Sequence, residues 1–282
     1  LSEDASGLFI FTLFQKIQWR KLDTSTGVPS LTSSTIHSIP INIPKKPEQS
    51  TIGKYFQHVD KTITMYKSKH EKTKILKKSF LKKIFPQEGK SQPDIRLKGF
   101  SEDWIEKRLE DVVEIVGGGT PDTTNSDFWG GEIDWYSPTE IGKNVYADNS
   151  VKTITELGLQ KSSAQILPAH KTILFTSRAG IGDMAILRSD AATNQGFQSF
   201  IAKDIDVYFL YSMGYLLKEY ALEKASGSTF LEISKKQLSA IEILIPSNIE
   251  EQTAIGQFFK QMDDTLALQA KQLNALESLK KA

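Results

Sequence analysis

Ile52-Gly53-Lys54-Tyr55-Phe56-Gln57-His58-Val59-Asp60-Lys61-Thr62-Ile63 opens a run whose apolar residues recur in steps of four and three. Continued, the same steps reach Tyr66, His70, Thr73, Lys77, Phe80 and Ile84. That alternation is the heptad seam of one long helix packed on another. The seam weakens at His70, Thr73 and Lys77, where Leu76 is the candidate replacement. A helix from about Gln49 to Phe85 is roughly 55 Å long at 1.5 Å per residue. With a single apolar stripe it needs a partner to be stable.

A second copy of the stretch supplies that partner. Ile255-Gly256-Gln257-Phe258-Phe259-Lys260-Gln261-Met262-Asp263-Asp264-Thr265-Leu266 repeats the first at an offset of 203 residues. Its seam runs Ile255, Phe259, Met262, Leu266, Gln269, Leu273 and Leu276. Upstream, Ile39, Ile41, Ile43 and Pro44 match Ile241, Ile243, Ile245 and Pro246. Thr26-Gly27 and Leu31 resemble Ser226-Gly227 and Leu231. A short alternating strand, a charged turn and a long helix are therefore expected twice. A period near 200 residues is too long for a solenoid and points to duplication of a domain with its helix. Residues 4–27 align loosely with 206–227, and Ala282 aligns with Ser79, so the chain reads as a piece of a longer, two-unit protein.

The 282 residues are 39% hydrophobic and 24% charged, an ordinary globular balance with no cysteine. Disulfide frameworks and thiolate metal sites are excluded. No apolar run is long enough to span a membrane, and the Leu8 to Leu13 run lacks the basic start of a signal peptide. A cytoplasmic setting is expected. Net charge is +1, unevenly spread: residues 45–85 hold 12 Lys against Glu48, Asp60 and Glu71, whereas residues 247–282 hold 4 Lys against 5 acidic residues. A basic helix face suits a polyanion or an acidic protein, and equally a solvated lysine face.

Four segments follow: 1–44, the end of one domain; 45–94, long helix and linker; 95–246, a complete domain; and 247–282, the second helix. Leu8, Phe9, Ile10, Phe11, Leu13, Phe14 and Ile17 predict a largely buried helix, with Val207 to Lys224 as its counterpart. Pro86 to Asp94 is a polar linker. Its Glu88-Gly89-Lys90 is a poor match to a nuclease carboxylate motif. Trp104, Leu109, Val112, Val113, Ile115 and Val116 lead into Gly117-Gly118-Gly119, expected to be a tight loop needing positive φ. Trp129 and Trp135 are core candidates. Pro138 to Asn149 is expected as a surface loop, Ile154 to Leu159 as a short helix, and Leu167 to Ile186 as strand, glycine turn, strand. Ser199-Phe200-Ile201 suggests a further strand.

Catalytic constellations are hard to find. His37, His58, His70 and His170 fall in no HExxH pattern or ligand spacing. Phosphate-loop, dinucleotide and methyltransferase signatures are lacking. Recognition is favoured over reaction.

In order, Gly118-Gly119-Thr120-Pro121, Phe128-Trp129-Gly130-Gly131, Ser177-Arg178-Ala179-Gly180-Ile181-Gly182, Thr193-Asn194-Gln195-Gly196-Phe197 and Glu250-Glu251-Gln252 before Ile255-Gly256 form a specific series. It resembles the DNA-specificity subunit of type I restriction–modification systems. The resemblance implies an α+β fold: one mixed α/β target-recognition domain and two long helices packed as an antiparallel coiled coil. It implies a non-catalytic chain that binds double-stranded DNA and reads one half of a split site. The helices, through Ile52, Phe56, Val59, Ile63, Ile255, Phe259, Met262, Leu266 and Leu273, set half-site spacing and dock methyltransferase (modification) subunits. A restriction subunit joins indirectly. S-adenosylmethionine, ATP and magnesium are expected only in partner subunits, and no cofactor or metal in this chain. The first recognition domain departs from the pattern, because nothing before residue 28 matches the Ser177 or Asn194 runs. One chain then reads one half-site unless two chains pair through the long helices.

Sequence reading needs base-edge contacts from a positioned surface, with phosphate contacts setting register. Arg178, with Ser177, heads the candidates at an exposed hairpin turn; a structural arginine is the alternative. Lys143 and Asn144 come next, then Thr123, Thr124 and Asn125. Lys161 and Lys203 are generic phosphate candidates, and Asn194 and Gln195 are read as structural. Two other classes stay open: a coiled-coil scaffold, and the recognition part of a larger fused methyltransferase or nuclease.

Overall fold

The computed structural model describes residues 5–23, 25–87, 89–226 and 231–281. Gly227 and the loop through Thr229, and Glu88 of the linker, lie outside the described residues. The elements are, in order, α1 (Gly7–Lys16), α2 (Ser33–His37), α3 (Lys46–Ile84), β1 (Trp104–Arg108), α4 (Leu109–Val112), β2 (Val113–Gly117), β3 (Trp129–Tyr136), β4 (Tyr146–Ala147), β5 (Lys152–Ile154), α5 (Glu156–Gln160), β6 (Thr172–Phe175), β7 (Met184–Leu187), β8 (Ala191–Thr193), β9 (Gln198–Ala202), α6 (Val207–Ser212), α7 (Gly214–Lys224), α8 (Lys235–Ser239), β10 (Glu242–Pro246) and α9 (Ile249–Lys281). The chain forms two compact units: Leu1–Thr73 with Leu266–Ala282, and Lys74–Thr265. The division falls inside α3 and α9, so each long helix contributes to both units.

In the first unit the seam is built as the spacing predicts. Val59 and Ile63 are buried, and Ile52, Phe56, Tyr66, His70 and Thr73 are half-buried. Leu266, Leu273 and Leu276 face them at intermediate burial, with Gln269 buried. Lys67 pairs with Glu277 (2.7 Å) and Lys280 with Asp60 (2.6 Å), so the helices run antiparallel. In the second unit Phe80 meets Phe258 edge-on at 5.1 Å and Lys77 pairs with Asp263, again antiparallel. Leu76 does not take over the seam: it is 50% exposed, and Thr73 and Lys77 keep their places. Polar partners explain this. Gln269 Nε2 donates to Thr73 Oγ1 (3.3 Å), and Asp263 accepts from both Lys77 and Tyr208.

Two expectations for the first unit fail. The segment holding Ile39, Ile41 and Ile43 is irregular, preceded by α2, and Ile43 is 50% exposed. Its counterpart β10 is a strand because β1 pairs with it antiparallel, from Trp104↔Pro246 to Arg108↔Glu242. Among the described residues the first unit holds no strand, and an unpaired strand leaves its backbone groups unsatisfied. Second, α1 is a helix, but only Phe9 is buried, while Leu8, Phe11 and Phe14 are exposed.

The second unit carries the sheets. Five strands pair in the order β2-β9-β6-β7-β4, three in the order β5-β3-β8, and β1 with β10. Pairing is antiparallel except β4 with β7 and β3 with β8. The segment 138–149 is thus not all loop, since it contributes β4. Fully buried Phe85 ends α3 within the main core, 5.9 Å from Phe259, 5.4 Å from Phe209 and 6.3 Å from Trp104. Burying such a ring contributes on the order of 1.5–3 kcal/mol. The expected 207–224 helix is two, α6 and α7, meeting at Met213. Gly117, Gly118 and Gly119 have no positive φ. They serve close approach instead: a Cβ on Gly118 would lie 2.0 Å from Asn194 O, and one on Gly119 2.4 Å from Ala164 N.

The duplication persists in atomic detail. In the first unit Gln49 Oε1 accepts from Ser6 N–H (2.9 Å) and its Nε2 donates to Pro44 O (2.9 Å). In the second, Gln252 Oε1 accepts from Asp206 N–H (3.1 Å) and its Nε2 donates to Pro246 O (3.0 Å). Four residues on, Gly53 and Gly256 let a docking helix close in. A Cβ there would lie 2.7 Å from Phe9 N and 2.9 Å from Phe209 N.

Candidate nucleic-acid interface

Asn194-Gln195-Gly196 is a junction to which three other loops are tied. Asn194 N–H donates to Tyr136 O (3.0 Å) at the end of β3. Gly119 N–H donates to Thr193 O (2.8 Å), bringing in the loop after β2. Ser177 N–H donates to Gly196 O (2.8 Å), bringing in the β6–β7 turn. Gly196 also lies against Pro138, where a Cβ would be 2.7 Å from the ring. Asn194 Oδ1 turns back to accept from Gly196 N–H (2.8 Å), and Gln195 accepts from the Thr120 hydroxyl. The structural reading of Asn194 is thus supported by its contacts, which hold backbone in place.

The predicted contact residues lie on the loops that this junction ties together. Thr123 and Thr124 are exposed and Asn125 half-buried, in a loop shaped by its own side chains. Asp122 Oδ1 accepts from the Thr124 N–H (2.9 Å) and hydroxyl (2.7 Å), which hold its carboxyl below the usual range. Asn125 caps the next turn by accepting from Asp127 N–H (3.0 Å). Trp135 Nε1 donates to Gly119 O (2.9 Å), tying the loop to β3. Lys143 and Asn144 are exposed beside Gly142, which has φ 90° and packs on Asp183 of the β6–β7 turn. The loop's other end is held by Glu140, which accepts from Val151 N–H (2.6 Å).

The β6–β7 turn is locked from inside. Thr176 Oγ1 accepts from Asp183 N–H (2.9 Å) and donates to Gly180 O, while Ala179, Gly180 and Gly182 take positive φ. Arg178 projects from it, its Nε 2.8 Å from Glu232. Beside it, Lys218 pairs with Asp183 at 2.7 Å. Ser177 is different: it is fully buried, and its hydroxyl has no partner among the described residues. The turn faces its backbone, not its side chain, to the loops, so a direct contact from Ser177 does not fit the geometry. Lys161 is exposed next to the Ser163-Ala164 stretch under Gly119. Lys203 sits at the opposite end of β9 and donates to Glu110 O (3.2 Å), away from the junction.

Glu232 and Asp183 escaped the sequence reading, and so did the equivalence of Gln49 with Gln252. The glutamines were findable, since the 203-residue offset extends three positions upstream of Ile52. Glu232 carries no local signal, as its partner lies over fifty positions away in the chain.

A mixed α/β domain with its loops gathered on one junction, carried on a duplicated pair of long helices, defines a recognition module. Residues 3–76 and 101–278 match the family model of the type I restriction modification DNA specificity domain, and the chain belongs to that family. It is 37% identical over 183 residues to the specificity subunit of the type I restriction enzyme MjaIX of Methanocaldococcus jannaschii, covering 63% of this chain and 42% of that one. To the EcoR124I/EcoR124II specificity subunit of Escherichia coli it is 31% identical over 179 residues, covering 60% and 43%. The chain thus spans less than half the length of these curated relatives. The HsdS subunit of Thermoanaerobacter tengcongensis shares the fold, with TM-score 0.60 at 19% identity over 99% of this chain and 69% of that one. No helix among the described residues is long and apolar enough to cross a membrane.

Proposed function

We propose that this chain is the sequence-reading part of a type I restriction–modification complex in the cytoplasm, acting in DNA methylation and host defence. The observation that carries this is that the loops bearing Arg178, Lys143, Asn144, Thr123, Thr124 and Asn125 are tied to one another at Asn194–Gly196, in a member of this family. Exposed cations and amides on a fixed frame suit phosphate contacts for register and base-edge contacts for choice. The domain then reads one half of a split site. The chain is non-catalytic: the long helices dock modification subunits, a restriction subunit joins through those, and S-adenosylmethionine, ATP and magnesium belong to the partners.

A second copy of the chain is a further partner, joined through the long helices. The first unit exposes Phe11 and Phe14 and keeps open a cavity of about 800 Å³ beside Phe11, Phe56 and Ile63. In the second unit the position beside Phe259, the counterpart of Phe56, is filled by Phe85. Mass measurement by light scattering gives a dimer if this pairing holds and a monomer at all concentrations if it does not.

The test of the function is selection of bound duplexes from a randomised DNA library over a salt series. A specific reader keeps one enriched motif as salt weakens the phosphate contribution. Binding without any motif at every salt concentration assigns a scaffold instead.

A further inference from the structure

We infer that Glu232 is a specificity-determining positioning residue: it holds the Arg178 guanidinium so that the terminal amino groups face a single base pair. This rests on the DNA-reading function above. Four backbone hydrogen bonds hold the two segments that carry the pair before any ligand arrives. Ser177 is pinned through its backbone on both sides, its N–H donating to Gly196 O (2.8 Å) and its O accepting from Ile233 N–H (3.1 Å). Glu232 is pinned by a backbone bridge to Ser226, with N···O distances of 3.1 Å both ways. Between these anchors the Glu232 carboxylate takes Arg178 Nε at 2.8 Å.

The choice of nitrogen matters. Arginine is a planar fork with five N–H donors. The carboxylate pairs with the fork at Nε, its inner edge, and leaves both terminal nitrogens without another partner among the described residues. Two parallel N–H groups are what a guanine O6/N7 edge accepts in the major groove. Arg178 remains 46% exposed by side chain, so the fork is accessible. The neighbouring Lys218 is already held by Asp183 and does not compete for Glu232. Arginine carries much rotamer entropy when free, and a buttress reduces what binding must order.

Duplex selection with the full chain tests this, using wild type, Arg178→Ala, Glu232→Ala and Glu232→Gln, each first confirmed folded by its melting curve. Wild type is expected to enrich a motif in which Arg178→Ala loses discrimination at one guanine-containing position. Glu232→Ala loses about tenfold in discrimination at that same position, with other positions and the salt slope unchanged. Glu232→Gln, which keeps an acceptor for Nε, restores most of it. The inference is overturned if Glu232→Ala leaves that position as sharp as wild type, blurs all positions alike or changes the salt slope, or if Gln fails to restore. A wild type that enriches nothing overturns the DNA-reading function itself, and this inference with it.

Discussion

Gln252 does two things with one side chain: its oxygen accepts the Asp206 N–H that starts α6, and its nitrogen satisfies the Pro246 carbonyl that ends β10. It is buried, so Gln252→Ala leaves two polar groups without partners or water. A loss of about 1–3 kcal/mol is expected, read as a lowered urea midpoint; Gln49→Ala, on the same pattern, loses a similar amount. At the interface Asp122 gives a pH prediction. Its carboxyl is held below the ordinary aspartate value by hydrogen bonds from Thr124. A depressed native value means the contribution is complete above the unfolded value and is lost as pH falls through the native one. Hydrogen exchange at the Thr124 amide should stay protected from pH 8 to pH 5 and open only in stronger acid. Opening between pH 5 and 8 would show that another group holds the loop.

At the scale of elements, α3 and α9 were legible because a heptad seam is a local signal, complete in each helix. Burial of α1 was not legible, because burial belongs to the partner surface: Phe9 and Phe209 take equivalent places, yet α1 is left largely open. Ile39, Ile41 and Ile43 carry the right alternation, but a strand needs a neighbour, and only Ile241, Ile243 and Ile245 have β1. The loops that carry the proposed contact residues were legible singly, from glycine turns and exposed polar runs. Their assembly was not, because the junction joins Gly119, Tyr136, Ser177 and Gly196 by backbone hydrogen bonds that leave no side-chain signature. Ser177 shows the cost of reading a turn without its interior. The seam's polar layer makes its own prediction. Gln269 is buried with Oε1 unpaired among the described residues, so Gln269→Leu should raise stability by about 1 kcal/mol in urea melts. The same change weakens the device that fixes register. Phe85→Ala, which empties the nexus of Trp104, Phe209, Tyr215 and Phe259, should cost about 3–5 kcal/mol.

For the whole molecule, the feature preserved by duplication is the helix with its seam, its glycine and its glutamine, while surface charge diverged. The proposed role of α3 as a spacer and docking strut therefore rests on the seam, with its lysines secondary. Inserting one heptad into both long helices should change the gap between half-sites in the assembled complex and leave half-site identity intact. An unchanged gap would remove the strut role. The most direct measurement is a genome-wide map of DNA methylation in the native host with and without this gene. Loss of one split adenine motif, with every other motif kept, is the outcome expected of a sequence-reading subunit. Retention of every motif in the deletion strain, with the gene expressed in the parent, would contradict it.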